Sequence, residues 1–245
     1  VCAVRYQYVD LDGEVANGCE CPSLGAEDAP DVYSSFPEAG APAVDRDCDG
    51  IDGNAARALF VRAGAAGDGR RARPFGSIGA AVRAFDPSRH DHVLVAAGRY
   101  EESVELRAGV EVYGGYAADF ERRDVAALPT VLAAPPAQPA LVASGLGNRE
   151  GVVAGLLVEG ADAVERAAAG ADGESSVAVE VSASPGLVLA NLVIRAGDGA
   201  DGGQGARGAS GADGGDGGDG RDAAECTSPS CAGERQSGGA AGRNA

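Results

Sequence analysis

The fold class this chain predicts is all-β, a right-handed parallel β-helix with an N-terminal capping helix, and three observations point to it. Between residues 91 and 196, short aliphatic runs recur, separated by Gly, Asn or Pro. One amphipathic helical stretch precedes them. Large rings concentrate around that point: seven of the eleven Phe and Tyr residues lie between Phe60 and Phe120, and none follows Phe120. The runs hold two to five residues, shorter than the ~5–6 of ordinary hairpin sheets. In a solenoid each turn supplies two or three such strands and buries its apolar face on the turn before.

Residues 1–56 form a polar segment rich in Cys, Asp and Pro, with little periodicity, and read as irregular, disulfide-bearing and calcium-binding. The helix-and-coil region spans 57–196. It opens with a strand, Ala58-Leu59-Phe60-Val61, and a Gly/Arg loop. A helix follows, in which Ile78, Ala81, Val82 and Phe85 share one face at i, i+3, i+4 and i+7 spacing. Ser77 or the Pro74-Phe75-Gly76 stretch starts it, and Asp86-Pro87 stops it. The aliphatic runs come next: Val93–Val95, Val104–Leu106, Val110–Tyr113, Thr130–Leu132, Leu141-Val142, Val152-Val153, Leu156–Val158, Val177–Val181, Leu187–Leu189 and Leu192–Ile194. At an assumed ~22 residues per coil, they make four to five coils.

The order strand, helix, then Val93-Leu94-Val95-Ala96-Ala97-Gly98-Arg99-Tyr100-Glu101-Glu102 and Gly109-Val110-Glu111-Val112-Tyr113-Gly114-Gly115-Tyr116 resembles the opening of pectin-lyase-like parallel β-helix proteins. The resemblance covers about 60 residues closely and about 80 loosely, and it implies fold far more than activity. It also implies a setting among bacterial secreted and surface proteins. Tyr100 and Phe85 are expected to seal the first coil, and the Glu101-Glu102 pair to be structural.

From Gly199 to Gly220 a glycine stands at every third position, preceded by a polar residue and followed by a small one. Three residues per turn of a left-handed extended helix would place these on three edges, two of them small and one polar. The absence of Pro argues against collagen, and the absence of large apolar residues argues against calcium-binding nonapeptide repeats. Residues 197–245 therefore read as a polyglycine-II-like strand or a disordered Gly/Asp segment, continuing in a longer protein.

The chain has 245 residues, 44% of them apolar, enough for a real core. A net charge of −17 with no Lys argues against nucleic acid and anionic membranes as partners. No apolar run reaches the ~20 residues of a membrane span. The six cysteines fall into two clusters, Cys2, Cys19, Cys21 and Cys48, then Cys226 and Cys231. They suggest a tight Cys226–Cys231 loop, pairing among the first four, and an oxidising, extracellular or outer-surface location. Zinc fits poorly, because the Cys19-x-Cys21 spacing is wrong and no His lies near.

The best site candidate is Asp45-x-Asp47-x-Asp49-Gly50-x-Asp52. Carboxylates at alternate positions before a glycine turn point several oxygens inward, as in the first half of a calcium loop. The twelfth position is Ala56 rather than Glu, which removes a standard EF-hand and leaves loops like those of thrombospondin type 3 or dockerin repeats. Asp10-x-Asp12-Gly13 is a weaker version. Ca²⁺ is the cofactor implied. His90-Asp91-His92 reads as a solvated loop. Polysaccharide lyases and hydrolases need clustered carboxylates on the strands. Here Glu105, Glu111, Glu180 and Arg195 do not cluster, and Arg195 with Asp198 and Asp201 is the nearest approach. No catalytic residue is assigned. The expected function is a non-enzymatic secreted or cell-surface structural or adhesive protein, with matrix, polysaccharide or another surface protein as partner. The alternative is a β-helix lyase or hydrolase acting on extracellular polysaccharide.

Overall fold

The structure is a computed structural model that describes residues 8–9, 21–22, 28–33, 35–40, 43–163 and 168–219. Two units make up the chain, Val1–Gln204 and Gly205–Ala245. The first begins with a short antiparallel pair, β1 (Tyr8–Val9) and β2 (Cys21–Pro22). Next come β3 (Ala58–Val61) and one helix, α1 (Ile78–Ala84). The coils are built from β4 (His92–Ala96), β5 (Gly98–Glu101), β6 (Val104–Glu105), β7 (Glu111–Tyr116), β8 (Thr130–Ala133) and β9 (Leu141–Ser144). They continue through β10 (Gly151–Ala154), β11 (Leu156–Glu159), β12 (Val179–Ser182), β13 (Leu187–Ala190) and β14 (Val193–Arg195).

Three parallel sheets result, ordered β3-β4-β7-β10-β13, β5-β8-β11-β14 and β6-β9-β12. Each complete coil visits all three, as a parallel β-helix must. The interior is a set of vertical columns. Leu59, Val93, Val112, Val153 and Leu189 stack in register on the first sheet. Tyr100, Leu132, Val158 and Ile194 stack on the second. Val104, Leu141 and Val179 stack on the third. Strand alternation sends every second side chain into this core, so one aliphatic residue per strand, repeated coil after coil, suffices to fill it.

The expected coil count is corrected. Three complete coils are present, β4-β5-β6, β7-β8-β9 and β10-β11-β12, flanked by β3 before and β13-β14 after. The assumed ~22-residue coil was wrong. Val93 to Val112 spans 19 residues, but Val112 to Val153 spans 41 and Val153 to Leu189 spans 36. Loops between strands take up the excess, and the β4–β7 register shifts once, between Leu94 and Ala96.

The first coil is closed as predicted. Ser77 is the N-cap of α1, its hydroxyl accepting from the Ala80 amide at 3.2 Å. Ile78, Ala81, Val82, Phe85 and Tyr100 are all buried in the main core cluster. Glu102 accepts from the Ile78 and Gly79 amides at 2.6 and 3.0 Å, so it satisfies two otherwise orphaned donors of the helix start.

Beyond β14 the backbone follows a period of three. The Gly160 and Ala163 amides donate to the Arg195 and Asp198 carbonyls, both at 2.8 Å. Ala200 and Gly203 donate to Glu174 and Ala171, both at 2.9 Å, and Gly170 donates to Gln204 at 3.1 Å. Residues 195–204 thus lie parallel to 160–163 and antiparallel to 170–174, bonding at every third residue as extended three-fold strands do. Glycine is required for that approach: a Cβ on Gly173 would fall 1.9 Å from the Ala200 carbonyl oxygen. In the second unit, residues 205–219 carry neither helix nor strand and are exposed.

Candidate metal centre

Residues 28–56 lie against the outer face of the first sheet. Ile51 is buried with Phe60, Leu94, Tyr113, Tyr116 and Phe120, and the Tyr116 hydroxyl donates to the Asp52 carbonyl at 2.6 Å. A disulfide joins Cys21 to Cys48 with Cα atoms 5.9 Å apart, one pairing within the predicted front cluster. Cys2, Cys19, Cys226 and Cys231 lie outside the described residues, as do Asp10 and Asp12.

The Asp loop is folded by its own carboxylates. Asp45 Oδ1 accepts from the Cys48 amide at 2.6 Å, and its Oδ2 from the Gly50 amide at 2.9 Å. Gly50 has φ +92°, a conformation that favours glycine and closes the turn. Asp47 Oδ1 accepts from the Asp49 amide at 3.3 Å. Asp49 accepts from the Ile51 and Ala55 amides at 3.2 and 2.6 Å, which fixes the far half of the loop.

A third acid completes the cluster. Asp28, eighteen residues before Arg46, has a side chain with no exposed surface. It accepts from the Arg46 and Gly53 amides at 3.0 and 3.3 Å and pairs with the Arg46 guanidinium at 3.2 Å. One carboxylate oxygen each from Asp28, Asp45 and Asp47 lies within 4.8 Å of the others. Two oxygens on opposite sides of a calcium ion, at 2.3–2.6 Å each, stand about 4.6–5.2 Å apart, so the cluster has the span of a coordination shell. Among the described residues this is the one group of three or more such side chains. A cleft of about 430 Å³, lined by Asp45, Asp52 and the 121–124 stretch among others, opens beside it.

The electrostatics suit a cation. Burial, then the neighbouring Asp49 charge, pushes Asp47 up to about 6, with Asp45 and Asp28 adding to the repulsion and the Asp49 amide opposing it. Asp49 is also raised, by burial first, although the Ala55 and Ile51 amides pull it back. A divalent ion would remove this repulsion. The donors are all hard carboxylate oxygens, the set that suits Ca²⁺, Mg²⁺ or Mn²⁺ rather than thiophilic metals.

The structure turns Asp52 to a different partner. Its carboxylate accepts from the Asp31 amide at 3.0 Å and pairs with Arg123 Nη1 at 2.8 Å. Burial pushes it up to about 6 and Arg123 opposes that. Arg123 is itself fully buried, donates to the Gly114 and Asp31 carbonyls at 3.0 and 2.7 Å, and lies 5.6 and 5.4 Å from the Tyr113 and Tyr116 ring centroids. Arg123 therefore helps to fasten the Asp-rich segment to the coils, together with the Tyr116–Asp52 hydrogen bond and the packing of Ile51. Sequence reasoning missed Asp28, Asp31 and Arg123. The first two were readable as the other acids of the Cys-bearing segment; nothing local distinguished Arg123 from its neighbour Arg122.

His92 is not solvated, contrary to expectation. It is buried, with Nδ1 3.2 Å from Glu111 and Nε2 3.2 Å from the Asp28 carbonyl oxygen. The loop reading failed because His92 is the first residue of β4 rather than part of the turn. Burial pushes Glu111 up, but hydrogen bonds from His92 and Tyr113 prevail and hold it below its ordinary value. On the second sheet Arg99 pairs with Glu101 and Glu159 at 3.4 and 2.6 Å. Arg195, Asp198 and Asp201 are exposed. No helix among the described residues is long and apolar enough to cross a membrane. The chain is thus a parallel β-helix bearing an Asp-rich cluster, with Asp28 buried and Asp45 and Asp47 half-buried, that is able to coordinate a metal ion. Comparison with family models, with curated proteins and with solved structures gave no match.

Proposed function

We propose that this chain is a non-enzymatic structural or adhesive protein of the extracellular space or outer cell surface, with Ca²⁺ bound by Asp28, Asp45 and Asp47. The observation that carries the reading is the convergence of three carboxylates within 4.8 Å. They sit on a segment that a disulfide and a buried Arg123–Asp52 pair tie to a rigid solenoid. Such an arrangement stiffens a surface instead of exposing a reactive group. The Cys21–Cys48 bridge supports an oxidising location, and the all-oxygen donor set supports calcium. The likeness to pectin-lyase-like openings supports kinship with bacterial surface β-helices. Its partner would be matrix, polysaccharide or another surface protein.

The test is thermal unfolding of the whole chain in Ca²⁺ and in EDTA, with Asp47→Asn alongside. At 100 times the Kd, binding adds about 2.7 kcal/mol, which for a chain of this size raises Tm by roughly 5–10 °C. Asp47→Asn should lose most of that rise. Equal melting in Ca²⁺ and EDTA removes calcium from the reading. Turnover of polygalacturonate or alginate would replace the structural role with an enzymatic one.

A further inference from the structure

We infer that residues 28–33 form a strap coupling the metal centre to the last described rung, so that Ca²⁺ at one end restrains the β13–β14 corner at the other. The inference rests on the calcium reading above. In a plain solenoid each rung touches only its neighbours, and an event at one rung fades along the stack. Residues 28–33 depart from that pattern because they cross the strands of the first sheet. The Asp28 carbonyl oxygen lies 3.2 Å from Nε2 of His92, on β4. The Asp31 carbonyl accepts from Arg123 Nη1 at 2.7 Å, and Arg123 Nε donates to the Gly114 carbonyl of β7 at 3.0 Å. The Tyr33 amide donates to Asn191 Oδ1 at 2.9 Å. Asn191 Nδ2 donates in return to the Tyr33 and Ser35 carbonyls at 3.0 and 3.1 Å. Asn191 directly follows β13.

Chain length agrees with this path. From β4 through β7 and β10 to β13 is three steps between paired strands, about 14 Å at ~4.8 Å each. The chain from Asp28 to Tyr33, fully extended, reaches about 17 Å. The strap therefore has little slack, and a displacement at one anchor passes to the next. Asp28 belongs to both systems. Its carboxylate joins Asp45 and Asp47 in the cluster, while its carbonyl is the first anchor of the strap. An ion that holds Asp28 against the Asp45–Asp47 loop thus fixes where the strap begins. At the far end Leu189 and Ile194 are 38% and 49% exposed, the setting in which local opening concentrates. Asn191 itself has φ +48°, a left-handed conformation that Asn tolerates and its three bonds to the strap hold.

Two states of the strap carry the coupling, docked on Asn191 or released from it. An opening that draws Asp28 out of the cluster must shed the ion, so Ca²⁺ suppresses it about 100-fold at 100 times the Kd. An opening that frees Tyr33 alone is suppressed less. Coupling of this kind is reciprocal. The factor by which the ion favours docking at Asn191 is the factor by which docking raises the affinity for the ion.

Hydrogen exchange of the full chain in Ca²⁺ and in EDTA, read by mass spectrometry, tests this. Peptides over the Asp45–Asp52 loop report the ion, those over Tyr33 and over β13 with Asn191 report the strap, and β9, on the third sheet, reports global unfolding. Ca²⁺ should slow exchange at Tyr33 and β13 at least about fivefold more than at β9. Asn191→Gly permits the same backbone conformation but removes all three bonds. It should abolish the extra protection at β13, keep that of the Asp loop, and weaken Ca²⁺ binding in titration calorimetry by a similar factor. Asn191→Asp, which loses both donated bonds, should act in the same direction, and the wild-type comparison holds whether or not either variant folds. Protection of the Asp loop with none beyond β9 at β13 overturns the strap and leaves the calcium reading standing. No protection at either place removes both. Extra protection of β13 that persists in Asn191→Gly, or unchanged affinity in that variant, overturns the strap as well.

Discussion

The two ends of the solenoid are built from the same kind of strand and finished differently. At the first coil a short helix lies over the columns, Tyr100 and Phe85 fill the space beneath it, and Glu102 satisfies the helix start. Beside that coil the Asp-rich segment is clamped to the outer sheet by Arg123. At the last described rung Val179, Leu187 and Leu192 still pack on the core, while Val181, Leu189 and Ile194, at core-facing positions, are exposed. What differs is the neighbour, since Val158 and Ile194 occupy equivalent positions and only one has a rung above it. The lesson is that burial in a solenoid belongs to the stack and not to the residue.

The clamp offers the largest effect. Arg123→Ala leaves Asp52 buried without its cation and removes one of the contacts that join segment to coils, beside those of Tyr116 with Asp52 and His92 with Asp28. Breaking one partner of a buried pair costs about 3–5 kcal/mol, to be read from urea unfolding monitored through the whole transition. A loss below about 1 kcal/mol would mean that the segment is held mainly by the Ile51 cluster.

A matched pair of truncations sharpens the contrast between the ends. Leu132→Ala and Ile194→Ala remove similar side chains from one column. The first sits at 0% exposure and should cost about 2–5 kcal/mol. The second, at 49%, should cost less than about 1 kcal/mol. Equal losses would show that Ile194 is as well covered as Leu132.

How much of this was legible in the sequence depended on whether a feature is local. The aliphatic runs were readable because each strand needs only a Val, Leu or Ile at its core position and a Gly, Asn or Pro at its corner. β5 was missed as a strand, since Gly98-Arg99-Tyr100-Glu101 carries one core residue and no aliphatic run. Coil length was not readable, because insertions such as 160–177 leave the register intact. At the site, Asp45 and Asp47 followed from their alternation before Gly50. Asp28 did not, because the fold delivers it from the far side of the Cys21–Cys48 bridge. Asp52 fitted the same local pattern, but Arg123, 71 residues away, draws it into an ion pair.

The smallest effect is the one in which metal and proton compete. Burial pushes both Asp47 and Asp52 up to about 6, well above their unfolded value near 4. In the metal-free chain both therefore take up protons on folding between about pH 4 and 7. Their ionisation penalises the fold above that window and is relieved as pH falls through 6. Melting temperature in EDTA should thus gain from these two groups on acidification. Calcium reverses the sign for Asp47 alone, since the ion displaces its proton, whereas Asp52 stays paired with Arg123 in both conditions and cancels from the difference. The stabilisation conferred by Ca²⁺ over EDTA should then be largest above pH 7 and shrink towards pH 5. With solvent reaching part of Asp47, the change is about 1 kcal/mol or less, followed by calorimetry at the two pH values. A calcium effect that grows on acidification would show that the ion binds away from Asp47, leaving the three-carboxylate cluster as a fold-stabilising turn.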